Sequence, residues 1–100
     1  MQDTGNIRRH IRFDLNSKAR VMWTDRFGRD KWASVRLFDA SESGVRMELP
    51  EAVELRSVLN FMSENANVRG QATVRFCRRE GNKFLVGAEF VGDTFWKGPG

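Results

Sequence analysis

Short runs of alternating apolar and polar residues, separated by turn residues, constrain the fold of this chain more than any other feature. A strand directs successive side chains to opposite faces, so an apolar residue at every second position marks a strand with one buried face. Residues 18–24 carry Ala19, Val21 and Trp23 in this spacing. We therefore predict a first strand over 18–24.

Five further segments have strand character and are bounded by turn residues. The predicted strands cover residues 31–38, 44–49, 54–62, 68–79 and 84–90. The 54–62 segment also fits a helix, but its β-branched residues and neighbouring strands favour a strand. Along 68–79, Ala72, Val74 and Phe76 are expected to share one face. Six strands with short connections predict an all-β fold, either a closed antiparallel barrel or a sandwich.

The composition restricts the class of protein. One hundred residues is the size of one compact domain, and 40% hydrophobic residues suffice for a core without a metal or a disulfide. The single cysteine, Cys77, cannot form an internal disulfide, and its distance in sequence from the single His10 argues against a zinc site. The apolar runs are too short to cross a bilayer, and the N-terminus is polar and basic. We expect a cytoplasmic protein without membrane insertion.

The charge of the chain favours anionic partners. The formal net charge is +4 with a pI near 10.0, and arginine outnumbers lysine. The planar arginine fork suits phosphate oxygens and guanine edges, and its face can stack on a base. The sequence offers no nucleophile–base pair, paired carboxylates or metal cluster, so we expect neither an enzyme nor a cofactor.

A basic N-terminal arm precedes the strands. Within residues 1–17 it carries Arg8, Arg9 and Arg12, in a spacing that fits neither a long helix nor a regular strand. Several arginines on a flexible arm can close over a doubly charged ligand through charge-assisted hydrogen bonds. A solvated basic tail is an equally good interpretation of this segment alone.

A second motif lies between the second and third predicted strands. Asp39 can cap backbone amides in an Asx-type turn, and Gly44 allows conformations that other residues resist. A fixed carboxylate at Asp39 can also accept the N1–H and the exocyclic amine of guanine, and Ser41 can add a bond to base or phosphate. Gly44 would let such a ligand approach the backbone closely.

Together these motifs resemble those of the PilZ domain family, the bacterial receptors of cyclic di-GMP. The family pattern R-x-x-x-R on an N-terminal arm is matched by Arg8 and Arg12, and [D/N]-x-S-x-x-G is matched by Asp39, Ser41 and Gly44. Residues 84–90, with the sequence FLVGAEF, resemble the last strand of the family. The resemblance extends from the arm to the end of this segment.

The resemblance implies a six-stranded antiparallel β-barrel over residues 18–100 with the arm acting as a lid. It further implies a receptor or adaptor that binds cyclic di-GMP, orders the arm and alters a surface offered to a downstream protein. Arg8 and Arg12 would grip phosphates and stack on guanine, and Arg9 is a plausible extra contact that would favour a stacked pair of ligand molecules. Asp39 and Ser41 would read a guanine edge, and Gly44 would make room.

Two other functions stay open from the sequence. A small β-barrel that binds single-stranded nucleic acid would share the basic charge and the aromatic residues, although we expect no nucleic acid as partner. A PilZ domain that acts as a protein scaffold without ligand is the other. The downstream effector, the ligand stoichiometry and the oligomeric state do not follow from the sequence.

Overall fold

The structure is a computed structural model that describes residues 12–63, 65–66 and 68–92. These residues form no helix and six strands: β1 Phe13–Thr24, β2 Asp30–Ala40, β3 Gly44–Leu49, β4 Val58–Ser63, β5 Val68–Glu80 and β6 Lys83–Phe90. All neighbouring strands are antiparallel, and they close a barrel in the order β1-β2-β3-β6-β5-β4, in which β4 also pairs with β1. The prediction of an all-β fold with six antiparallel strands is confirmed, and the fold is the barrel rather than the sandwich.

Every strand contributes an apolar side chain with no solvent exposure to the centre of the barrel. These side chains are Val21, Leu37, Met47, Leu59, Val74 and Val86, one from each strand in chain order. Full burial of such a side chain contributes roughly 1.5–3 kcal/mol to folding. Because the core draws on all six strands, the apolar faces that the alternation predicts are buried only when the barrel closes.

Strand boundaries differ from the prediction at the ends that approach the two motifs. β1 begins at Phe13 rather than at residue 18, so residues 13–17 extend the strand instead of belonging to an arm. β2 continues to Ala40, so Asp39 lies in the strand and not in the following loop. The two extensions pair with each other: Phe13 pairs with Ala40, and Asp14 pairs with Asp39.

The fourth strand is shorter than predicted at its start. β4 begins at Val58, and the preceding residues form a loop in which Arg56 has a φ of 71°. Leu55, which lies within the predicted strand over 54–62, is 61% exposed. The helix alternative is wrong, and the later part of the predicted strand is confirmed, with Leu59 and Phe61 buried.

Three irregularities in the strand pairing change which side chains face outward. They lie in β1 between Asp14 and Ser17, in β2 between Leu37 and Asp39, and in β5 between Val74 and Phe76. Each inserts an extra residue in one strand, which reverses the alternation beyond it. The reversal in β5 explains why Phe76 is 38% exposed, whereas we predicted it on the same face as buried Val74.

Gly44 is required by close packing between strands rather than by its backbone angles. Its φ lies outside the left-handed region, contrary to our expectation of a special conformation. A Cβ atom at this position would overlap the carbonyl oxygen of Ala88 on β6. Because the obstacle is backbone, β3 and β6 would have to move apart to accept a side chain.

We therefore expect Gly44→Ala to lower the free energy of unfolding by about 1–3 kcal/mol, the usual cost of overpacking. Urea denaturation at neutral pH measures it. Ser34→Ala, at an exposed position on β2, serves as the control and should change stability by less than about 0.5 kcal/mol. A Gly44→Ala protein as stable as the unsubstituted one would contradict this account of the β3–β6 contact.

Candidate functional site

Arg12 and Asp39 meet where the start of β1 pairs with the end of β2. Arg12 directly precedes β1, and the pairing of Phe13 with Ala40 carries it alongside the second motif. The Arg12 Nε donates a hydrogen bond of 2.7 Å to Oδ1 of Asp39, and its Nη2 lies 3.5 Å from the carbonyl oxygen of Gly44. A residue from the first motif thus contacts two residues of the second.

A second guanidinium binds the same carboxylate from β3. Arg46 is the cross-strand partner of Asp39, a position that brings the two Cβ atoms within about 5.5 Å. Its Nε lies 3.0 Å from each carboxylate oxygen, and its Nη2 also donates to Oδ2. Asp39 is only 5% exposed. We refer to Arg12, Asp39 and Arg46 as the Asp39 cluster.

The two arginines determine the charge state of Asp39. Burial by itself raises the pKa of this carboxyl group, but hydrogen bonds from Arg46 and Arg12 outweigh burial and hold the pKa below its ordinary value. The hydrogen bond to Asp39 in turn raises the pKa of Arg46. The cluster is therefore ionised at neutral pH and carries one positive charge in excess.

The Asp39 cluster begins a row of residues that runs across four strands. Asp39 pairs with Arg46, Arg46 pairs with Gly87, and Gly87 pairs with Phe76. At about 4.8 Å between neighbouring strands, the row is roughly 14 Å long. It places a carboxylate, a guanidinium, a position without a side chain and an aromatic ring side by side on the barrel surface.

Gly87 allows the aromatic ring to lie on the barrel surface. A Cβ atom at Gly87 would overlap the ring of Phe76, so the ring covers the glycine directly. The bulge in β5 turns Phe76 outward to this position. Bulges commonly re-aim a side chain next to a binding site, and here the bulge presents a partly exposed ring to the same surface as Arg46.

A shallow groove of about 250 Å³ follows this row. It is lined by Arg12, Ser43, Gly44, Val45, Arg46, Arg75, Phe76, Gly87, Ala88 and Glu89. Arg75 and Glu89 form an exposed ion pair at 3.5 Å. The groove is therefore lined by three arginines, one aromatic ring and one carboxylate, that of Glu89. Asp39 is buried and is bound by two of these arginines, Arg12 and Arg46.

Ser41 is used within the turn that joins β2 to β3. Its backbone N–H donates to the carbonyl of Gly44 at 2.9 Å, and its hydroxyl accepts the N–H of Ser43 at 3.2 Å. The side chain is 1% exposed. In this arrangement Ser41 fixes the turn beside the Asp39 cluster and does not face the groove.

The structure thus brings together Arg12, Asp39, Ser41 and Gly44, while Arg8 and Arg9 lie outside the described residues. Arg46 and Phe76 were not among the predicted site residues. Arg46 follows Gly44 of the second motif by two positions, which is only a weak indication of a role in the site. Its pairing with Asp39 depends on the bulge in β2, which the sequence does not reveal.

Larger grooves lie on another part of the barrel. One of about 680 Å³ is lined mainly by residues of β1, β2 and β4, including Met22, Trp32 and Val58. Its charged residues are already engaged, because Lys31 pairs with Glu51 at 3.0 Å and Asp30 accepts a hydrogen bond from Thr24. Volume favours this groove, but the chemistry expected for an anionic ligand lies at the Asp39 cluster.

Two kinds of feature, clusters of metal ligands and membrane-spanning helices, are absent from the described residues. Residues 12–63, 65–66 and 68–92 contain no group of three or more His, Cys, Asp or Glu side chains placed to hold a metal ion. The same residues contain no helix of the length and hydrophobicity needed to cross a bilayer.

Comparison of the sequence with protein-family models gives no match, and no curated protein matches it significantly.

The lowered pKa of Asp39 predicts a pH-dependent contribution to stability. The ionised carboxylate stabilises the folded state above the ordinary Asp pKa of 3.8, and this stabilisation is lost as pH falls through the lower folded-state value. Asp39→Asn should therefore be less stable than the unsubstituted protein near pH 7, and the difference should shrink below about pH 4.

Thermal unfolding between pH 3 and pH 7 measures this difference. Glu42→Gln, at an exposed position in the same turn, is the matched control for removing one negative charge. Equal pH dependence of Asp39→Asn and Glu42→Gln would contradict the pairing of Asp39 with its two arginines.

Proposed function

We propose that this protein is a receptor or adaptor for cyclic di-GMP, as its resemblance to the PilZ family implies. The single observation that carries the proposal is the contact between Arg12 and Asp39, residues of two separate motifs, on the surface that also presents Arg46 and Phe76. Closure of a barrel does not by itself require these groups to share one surface. A ligand that carries both phosphates and guanines uses each of them.

The chemistry of the groove matches the ligand group by group. The Asp39 carboxylate can accept the two adjacent donors of a guanine edge. The guanidinium groups of Arg12, Arg46 and Arg75 can bind phosphate oxygens in bidentate fashion. The ring of Phe76, which covers Gly87, offers a stacking surface for a base, an interaction worth about 1–3 kcal/mol. Ser41 contributes by fixing the turn.

Signalling in this proposal depends on the N-terminal arm. Arg8 and Arg9 precede Arg12 by a few residues, and Arg12 is anchored at Asp39. Phosphates bound in the groove would attract these arginines and draw the arm over the ligand. The covered groove and the ordered arm then form a surface for a downstream protein that differs from the surface of the free receptor.

The arrangement of aromatic residues speaks against the nucleic-acid alternative. A single-stranded nucleic-acid binder needs several aromatic rings along one surface. The exposed rings do not share one strand: they are Phe13 on β1, Phe27 in the turn between β1 and β2, Trp32 on β2 and Phe76 on β5. β2 and β5 lie on opposite sides of the closed barrel. The face of Trp32 is also occupied by Arg20, whose guanidinium lies 5.1 Å from the ring centroid. A ligand-free scaffold has no specific observation in its favour.

Calorimetric titration with cyclic di-GMP tests the proposal, and we expect micromolar or tighter binding. Arg12→Ala and Asp39→Ala should each weaken binding by roughly 10- to 100-fold, since each removes a charge-assisted contact worth about 1.5–3 kcal/mol. The barrel should remain folded by circular dichroism. Arg8→Ala should weaken binding in the same way.

Arg69→Ala is the control, because it removes one exposed arginine of β5 that lines a different groove. It should leave the affinity unchanged. Undiminished binding by all three site variants would refute the assignment of the ligand to this groove. Single-stranded oligonucleotides that compete with cyclic di-GMP, with affinity rising with their length, would favour the nucleic-acid alternative instead.

A further inference from the structure

We propose that Arg46 is a selectivity residue. It occupies the carboxylate oxygens of Asp39 that would bind guanine, until a phosphate of the ligand binds Arg46 instead. This inference rests on the proposed function and concerns the same groove. On binding, the ion pair between Asp39 and Arg46 breaks. Asp39 then accepts hydrogen bonds from a guanine edge, and Arg46 binds a phosphate. A ligand must then bring both groups at once.

Arg46 and a guanine edge need the same two oxygens of Asp39. Arg46 contacts both oxygens of Asp39, with Nε at 3.0 Å from each and Nη2 also bonded to Oδ2. A guanine edge offers two neighbouring donors and therefore needs both oxygens as well. Because Asp39 is 5% exposed and Arg12 occupies Oδ1 from the other strand, guanine and Arg46 compete for the same acceptors.

The bonds between Arg46 and Asp39 are difficult for a neutral base to replace. Arg46 and a guanine edge would both make charge-assisted hydrogen bonds to the ionised Asp39, but only the guanidinium adds the attraction of a full opposite charge. The neutral donors of a guanine base therefore do not displace Arg46 from Asp39 efficiently. A phosphate in the groove offers the released guanidinium an anionic partner of equal quality, so displacement and phosphate binding support each other.

The position of Arg46 makes this exchange possible without unfolding. Its side chain is 41% exposed, and its strand partner on the other side is Gly87, which has no side chain to obstruct it. Rotation toward Gly87 keeps the guanidinium in the groove beside Arg75 and Phe76. Release of Arg12 would free less of the carboxylate, because Arg12 bonds only Oδ1 whereas Arg46 contacts both oxygens.

The experiment compares two probes, guanosine, which has no phosphate, and cyclic di-GMP. Binding of each to the full chain is followed by NMR titration. In Arg46→Met, which keeps a long side chain without charge, guanosine should bind more tightly and cyclic di-GMP should not. The dissociation constant of guanosine divided by that of cyclic di-GMP should therefore fall by about tenfold or more.

Arg75→Met is the matched control, since Arg75 lines the same groove but pairs with Glu89 rather than Asp39. It should weaken cyclic di-GMP and leave guanosine unchanged. Unchanged or weaker guanosine binding in Arg46→Met, with cyclic di-GMP still bound by the unsubstituted protein, would overturn the selectivity role alone. Absence of cyclic di-GMP binding in the unsubstituted protein would overturn the proposed function together with it.

Discussion

The arrangement of this molecule around its candidate site depends on one buried carboxylate held between two guanidinium groups. Asp39 lies at the end of β2, where β1 pairs on one side and β3 on the other, and it binds an arginine at each boundary. A buried charge without partners is costly, so the three side chains must be brought together as a unit. The three side chains join the start of β1 to the end of β2 and to β3, and they leave an excess of positive charge at the barrel surface.

The departures from regular pairing are what convert a simple barrel into a surface with specific chemistry. An extra residue in β2 brings Asp39 opposite Arg46, and an extra residue in β5 turns Phe76 outward over Gly87. Without the bulge in β5, the alternation from Val74 would direct Phe76 into the core. Two local insertions therefore align a carboxylate, a guanidinium and an aromatic ring along one row.

The sequence predicted the parts of the fold that follow from local alternation. The strand class, the number of strands, β3 and most of β5 and β6 follow from the period of two and from the turns. The extent of β1 does not, because residues 13–17 pair with the end of β2 through a bulge in which Asn16 has a φ of 48°. The roles of Arg46 and Phe76 depend on register, which no local pattern specifies. Arg12, Asp39 and Gly44 were found because their residue types match a family pattern, although the structure assigns Gly44 a packing role.

The most direct test of the central claim is an NMR titration of the isotope-labelled protein with cyclic di-GMP, with perturbed residues mapped on the barrel. We expect saturable changes centred on Arg12, residues 39–46, Phe76 and Gly87, which together line or support one groove. Changes centred instead on the groove beside Met22 and Trp32, or no saturable change at all, would contradict the claim that the Asp39 cluster is the ligand site.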